Sequence, residues 1–400
     1  MKPAHSLHAL APSRAASRRG GASAARPLGR RGRGLLPLLM ATLALLVGCA
    51  ADKPKPKPLE AFTPKIAARQ VWSAKVNSVQ FGLSVVARDG QFVVAGSDGA
   101  VLALDAQSGQ ALWRLDVRAP LSAGVGSDGR FHAVVTADNR LVVFDGEREA
   151  WRAQLNSRVS TAPLVAGERV FVMGVDRAVH AFDALDGTKI WSLQRPGEAL
   201  TLLHSGVLTA VKDTLVAGQG PRLAGIDPTR GSVLWEVPIG TPRGTNEVER
   251  LADLVGPALR LGNRLCARSF QAAVGCVDAE AGRLLWSRNT GGIQAVGGDD
   301  ELVVGADASD RILAMKTANG ETAWTSERLA LRHLSAPASF GGAIVFGDYE
   351  GYVHFLDPKD GQTLLRLATD GSQVVGRPTL SGRTLLVVTR NGGLFAFRPD

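Results

Sequence analysis

At 400 residues, with 45% hydrophobic and 21% charged residues, the chain has the size for one or two globular domains and is too apolar to be a disordered one. Its formal net charge of +9 would suggest a nucleic-acid partner, but eight of the 46 basic residues and none of the 37 acids lie in residues 1–48, which leaves 38 minus 37, about +1. That balance implies no basic nucleic-acid patch, and the aromatic–basic interleaving of a strand binder is missing as well.

Residues 1–48 read as an export leader: Lys2 and seven Arg residues with no acid, then the apolar run LLPLLMATLALLVG, too short to span a bilayer comfortably. The charged region is long, which leaves a downstream start open. The Arg pairs at 18–19 and 30–31 are not followed by a twin-arginine pattern. The end of the leader, Leu46-Val47-Gly48-Cys49, resembles the lipobox of bacterial lipoproteins; an ordinary signal with a chance Cys is the alternative. The resemblance implies cleavage before Cys49, acylation of that residue and, because Ala50 rather than Asp follows, sorting to the outer membrane. Residues 49–68 are then the lipidated N-terminus and a tether whose alternating Lys and Pro favour extended chain.

The remainder is built on one recurring stretch, seen at residues 96–113, GSDGAVLALDAQSGQALW: a turn, an apolar run ending at Asp105, a second turn, and a run carrying Trp113. Copies end at Trp191 and Trp235, each eight residues after Asp183 and Asp227, and the same spacing joins Asp278 to Trp286. Three copies depart from it. Asp145 to Trp151 is two residues shorter, Lys316 replaces the Asp before Trp324, and Leu365 replaces the Trp after Asp357. A half-copy ends at Phe397.

The anchors at 105, 145, 183, 227, 278, 316, 357 and 397 are 38 to 51 residues apart, a period that suits the four short strands of a propeller blade. Within one unit, STAPLVA, RVFVMG, AVHAFD and TKIWSL alternate in period two between turn residues. The last anchor has no Trp strand after it, while Trp72 has no anchor before it. Together they complete one blade, which predicts an all-β, eight-bladed propeller over residues 69–400, closed by pairing the N-terminal strand with the last C-terminal ones. At one fixed offset per blade, the Trp ring is expected to fill the wedge between neighbouring blades and donate its N–H to a backbone carbonyl.

Two connections are long. RPGEALTLLHSG follows Trp191, and TPRGTNEVERLADL lies in the interval after Trp235. Both follow the Trp strand of adjacent blades, so they are expected side by side at one end of the ring. One offers Leu200, Leu202 and Leu203, the other Glu247, Glu249, Arg250 and Asp253, a charge-rimmed apolar patch of the kind that binds partners. The other reading turns the leucines inward and leaves the charges solvated. Cys266 and Cys276 lie opposite each other across a hairpin turning near Phe270 and Gln271; an exported chain predicts a disulfide, with two buried thiols as the alternative.

An enzyme needs a constellation, and none is found: there is no HExxH, GxSxG or P-loop pattern and no metal spacing, so neither catalytic residues nor a cofactor are expected. His180 and His354 share one repeat position, where other blades place Leu102, Val142 or Leu313, and read as packing residues; His132, His204 and His333 stand alone. The anchor Asp residues read as turn-formers that bond their own backbone.

The repeat resembles the tryptophan-docked blades of the pyrroloquinoline quinone dehydrogenases, which would imply an enzyme. Members of that family hold the quinone over adjacent Cys residues and beside calcium-binding carboxylates, and here no two Cys are adjacent. A closer resemblance, over essentially the whole chain after the leader, is to the BamB family of propeller lipoproteins. It is carried by the lipobox at Cys49, TNEVERLAD at 245–253 and GDYEGYVHFLD at 347–357. It implies a non-catalytic scaffold at the periplasmic face of the outer membrane, docked on the BamA POTRA domains of the β-barrel assembly (BAM) complex and helping to hand over unfolded barrel proteins. By the same resemblance Leu200 and Leu202 match the family's Leu-x-Leu, and Arg250 and Asp253 its Arg-Leu-x-Asp. Leu203 stands where an Arg is usual and Val255 where a second Asp is usual, so the contact implied here is more apolar. Strand addition at a blade edge and a periplasmic ligand binder are the other non-catalytic readings.

Overall fold

Short period-two strands have one apolar face each and must stack to bury it. The chain does so by arranging eight four-stranded antiparallel sheets, as a computed structural model that describes residues 54–195 and 200–400. The leader, Cys49 and residues 196–199 lie outside the described residues. Blades 1 to 7 span residues 86–116, 126–154, 164–193, 208–238, 254–288, 297–326 and 338–368. Blade 8 joins Thr379–Ser381, Thr384–Val388 and Gly393–Pro399 to the N-terminal strand Ala68–Lys75. That strand pairs antiparallel with Gly393–Pro399, Lys75 opposite Gly393 and Ala68 opposite Pro399, so the ring closes as expected.

Strand direction gives the ring two distinct ends. Turns between second and third strands, together with the connections between blades, emerge at what we term the loop face. First-to-second and third-to-fourth turns emerge at the turn face. At the turn face, the anchor Asp shapes the third-to-fourth turn: Asp105 Oδ1 accepts the N–H groups of Gln107 and Ser108, and Asp227 Oδ1 those of Thr229 and Arg230. Lys316 cannot accept these N–H groups, and its turn is held by Gly320 N–H to Lys316 O, Lys316 N–H to Glu321 O and Glu321 N–H to Asn319 Oδ1, with the ammonium 3.0 Å from Glu321.

These turns are the seats on which the indoles rest. Trp72, Trp151, Trp191, Trp286 and Trp324 each donate Nε1–H to a carbonyl in the turn region of the next blade, those of Ala106, Ala184, Pro228, Thr317 and Pro358. Each ring covers the turn glycine, and a methyl placed on Gly109, Gly187, Gly231, Gly320 or Gly361 would lie 2.5–2.6 Å from the indole. Trp235 covers Gly282 in the same way, but its N–H has no acceptor.

The two irregular positions now have a physical cause. The blade 2 turn is two residues short, and nothing lies within 4 Å of where a Gly146 methyl would be. Trp113 stacks instead on the ring of buried His132, centroids 4.3 Å apart, and Ser127 Oγ fixes that imidazole at 2.8 Å. Burial holds the His132 pKa below its ordinary value, so at neutral pH a neutral ring meets the indole. Blade 8 draws its outer strand from the far end of the chain and so has no third-to-fourth turn, and blade 7 carries Leu365 in place of Trp.

A feature that sequence periodicity missed is a β-bulge in every outer strand. Trp113 pairs with Ala103 and Ala111 with Leu104, which leaves Leu112 as the extra residue. Ile190 and Leu234 are the equivalent residues in blades 3 and 4. All three are exposed, because the bulge re-aims the Trp toward the next blade and turns its predecessor to solvent. The innermost strand of blade 3 is shorter than expected: of STAPLVA only Leu164–Ala166 is strand. Neighbouring blades crowd the axis there, and a Gly126 methyl would lie 2.0 Å from Pro163 O.

The seat defines a test. Gly231 has φ +73 and a Trp191 ring above it, whereas Gly146 has φ +57 and open space. Gly231→Ala is expected to cost the strain of positive φ plus overpacking, about 2–4 kcal/mol, and Gly146→Ala only about 1 kcal/mol, read from urea midpoints.

Candidate partner-binding surface

The two long connections are side by side on the loop face, and one carboxylate ties them together. Asp253 Oδ2 accepts Leu202 N–H at 2.8 Å, and Asp253 Oδ1 accepts Arg177 Nη2–H at 3.0 Å. The same Arg177 nitrogen reaches Leu200 O at 3.4 Å, and Gln219 Nε2 donates to Arg177 O. The Arg177 and Asp253 side chains are only 13% and 16% exposed, so this pair works partly out of water. Ser160 Oγ holds His204 O, and Thr161 Oγ1 holds Gly206 N–H, anchoring the first segment to blade 3. Ser269 Oγ holds Ala252 O, and Phe270 N–H bonds Asp253 O, anchoring the second to blade 5.

The expected residues separate into two sets on this platform. Leu202 is half-buried against Val255, Ala295 and Ala336, and Asp253 faces inward to its two partners. Leu200, Leu203, Glu247 and Arg250 are exposed, Leu203 by 59%. Thus one leucine turns in and two turn out. Val255, standing where the family resemblance places a second Asp, is fully buried.

Sequence reading passed over Val248, at 69% the most exposed large apolar side chain among the described residues. Its projection comes from a local cap: Glu249 N–H bonds Asn246 Oδ1, and Glu249 Oε2 accepts Thr245 N–H. That bond from Thr245 keeps the Glu249 carboxyl below its usual range. The Asn-x-x-Glu spacing was the available signal. Arg177, 76 positions before Asp253, carried none.

Other concavities offer less. The axial channel has a cavity of about 240 Å³ at the loop face and one of about 360 Å³ toward the turn face. Arg377 crosses between them, donating to Pro257 O and Val296 O. Desolvation pushes its pKa down to about 10, so it stays charged at neutral pH. A cleft of about 720 Å³ opens between blades 8 and 1 at the turn face, around Arg69, Asp105 and Arg398. Among the described residues no group of three or more His, Cys, Asp or Glu is placed to hold a metal ion. Cys266 and Cys276 are direct partners in the blade 5 ladder, joined as a disulfide and fully buried. His354 Nε2–H donates to Asp348 Oδ2, 3.0 Å away within a buried cluster, and burial keeps the His354 pKa low.

The described residues therefore define a tryptophan-docked, PQQ-like eight-bladed propeller whose differentiated surface is a loop pair on one face. A family model described as outer membrane protein assembly factor BamB matches residues 97–326. The outer membrane protein assembly factor BamB of Burkholderia pseudomallei is 36% identical, covering 90% of this chain and 96% of that protein. That of Bordetella pertussis is 35% identical, with 93% and 98% covered. The chain belongs to the BamB family of outer membrane protein assembly factors.

Among solved structures, BamB from Moraxella catarrhalis superposes with a TM-score of 0.75 at 21% identity, over 83% of this chain and all of that one. A quinohemoprotein alcohol dehydrogenase from Comamonas testosteroni superposes at 0.64 with 14% identity, over 83% of this chain and 76% of that one, a likeness of fold alone.

Removing the clamp separates its two functions. Asp253→Ala strips acceptors from Leu202 N–H and Arg177, and is expected to cost about 1.5–3 kcal/mol and to speed hydrogen exchange at the Leu202 amide. Val248→Ser, with no buried contact to lose, should stay within about 0.5 kcal/mol of the parent in the same melts.

Proposed function

We propose that this chain is a non-catalytic scaffold of the BAM complex, held at the periplasmic face of the outer membrane by an acylated Cys49. Its loop face docks on the BamA POTRA domains and so assists insertion of β-barrel proteins. Leu200, Leu203, Glu247, Val248 and Arg250 form the contact, while Leu202 and Asp253 hold the two loops in register for it. The observation that carries the reading is the Asp253 clamp, which makes one preorganised surface of two loops separated in sequence. Family membership supports the complex, and the exposed Leu203 and Val248 supply apolar anchors inside a charged rim. The quinone-enzyme reading finds no footing in the residues, because Cys266 and Cys276 are buried cross-strand partners and cannot form a platform of adjacent cysteines.

Binding of the chain from Ala50 onward to the POTRA segment of the same organism, followed by calorimetry, tests this. Leu203→Glu or Val248→Glu is expected to weaken binding at least tenfold, about 1.4 kcal/mol, while Leu234→Glu at an outer bulge leaves it unchanged. Binding that both loop variants retain, or a wild-type chain that does not bind at high micromolar concentration, would overturn the assignment.

A further inference from the structure

Residues 57–66 have no strand partner, yet they are fastened to the side of the ring along blades 6 and 7. Lys57 N–H bonds Ala330 O at 3.0 Å, and Arg332 Nη1 donates to Lys57 O. Glu60 binds Arg328 Nη1 at 2.6 Å with one oxygen and Thr363 Oγ1 at 3.3 Å with the other, and its carbonyl accepts from Arg366. The Arg366 guanidinium lies 5.0 Å from the Phe62 ring centroid. Leu59 packs on the core shared by blades 6 and 7, Ile66 on the core shared by blades 7 and 8, and Lys65 N–H bonds Leu364 O. Single exposed ion pairs would add little. Here they are joined by two half-buried apolar contacts, and Pro58 and Pro64 pre-extend the chain, so less entropy is lost on docking.

The first attachment is to a rigid feature. Arg332 is 3% exposed and donates to Asp348 Oδ2, which also meets His354. Arg332 lies in the connection from blade 6 to blade 7, and Tyr349 N–H in the adjacent second-to-third turn bonds its carbonyl. Lys57 is therefore at the loop face. Leu364, at the start of its outer strand, lies near the turn face, as does Ala68, where blade 8 begins.

We infer that residues 57–66 are a strap that moves the exit of the N-terminal anchor from the turn face to the loop face, so that the loop face is turned toward the membrane. This rests on the acylation of Cys49 proposed above. Without the strap, free chain would run from Cys49 to Ala68, 19 residues by their numbers, or about 63–68 Å when extended, enough for either face to approach the bilayer. With it, only eight residues separate Cys49 from Lys57, about 26–29 Å at most. A six-residue strand adds about 20 Å of ring height. The turn face is therefore held that much farther away. Leash and loops share one face, as a surface serving a membrane-embedded partner requires.

Lipidated full-length protein on phosphatidylethanolamine–phosphatidylglycerol vesicles carrying an acceptor dye on their headgroups tests the inference. An added cysteine is the one labelling site when Cys49 is acylated and Cys266 and Cys276 are bonded to each other. Donors at Arg158→Cys and Glu327→Cys report the loop face, and Glu147→Cys and Lys359→Cys the turn face. Energy transfer severalfold stronger from the loop-face pair, lost when Leu59→Ala, Glu60→Ala and Phe62→Ala are combined, is the expected result. Equal or reversed transfer in the parent, or a face difference that survives the triple change, overturns the strap while leaving POTRA docking intact. Protein that does not float with the vesicles overturns the anchor, and this inference with it.

Discussion

An indole resting on a glycine of the neighbouring blade is the contact on which the ring depends. A blade alone is a four-stranded sheet with both faces apolar, and its geometry does not say where the next one sits. The Trp fixes that relation through three features acting together. The bulge aims the ring across the gap, the turn glycine admits it without a Cβ, and a carbonyl of the same turn region takes its N–H, as at Trp191, Gly231 and Pro228. The exceptions obey the same logic. With a shortened turn the seat is lost and His132 substitutes; with no turn in blade 8, the preceding blade has Leu365 instead of Trp.

A frame held this way leaves its inter-blade connections free to vary. They emerge together at the loop face, and only their ends are tied to the blades. The two longest use this freedom differently along their length. Asp253, Leu202 and Val255 turn inward and make the segment part of the frame, whereas Leu203, Glu247, Val248 and Arg250 remain outside. The residue that most resembles a partner contact by its charge is thus an internal brace. The side chain best placed to touch a partner is a valine held out by a four-residue cap. The strap along blades 6 and 7 adds orientation to the same face, since the chain begins its path around the ring beside Arg332.

Period, blade number, ring closure and the seat-forming role of the Trp were all legible, because each depends on spacing and spacing survives substitution. The cross-strand position of Cys266 and Cys276 was legible for the same reason. The bulges were not, because an extra residue turned to solvent leaves the flanking alternation almost unchanged: Leu112, Ile190 and Leu234 stand within apolar runs and yet are exposed. The Arg177–Asp253 bond joins residues 76 positions apart with no repeat rule between them, and Arg377 reaches Pro257 across the channel over 120 positions. Such contacts follow from closure of the whole ring and leave no trace in any local window.

The account stands or falls on which face meets the assembly machinery. Photocrosslinking in intact cells, with a benzophenone amino acid at Val248 or Leu203 compared with Leu112 or Leu234, measures this directly. The account predicts adducts to the POTRA segment from the two loop positions and none from the bulges. Adducts from the bulge positions, with the loop positions silent, would contradict it and make the outer blade edges the working surface of the ring.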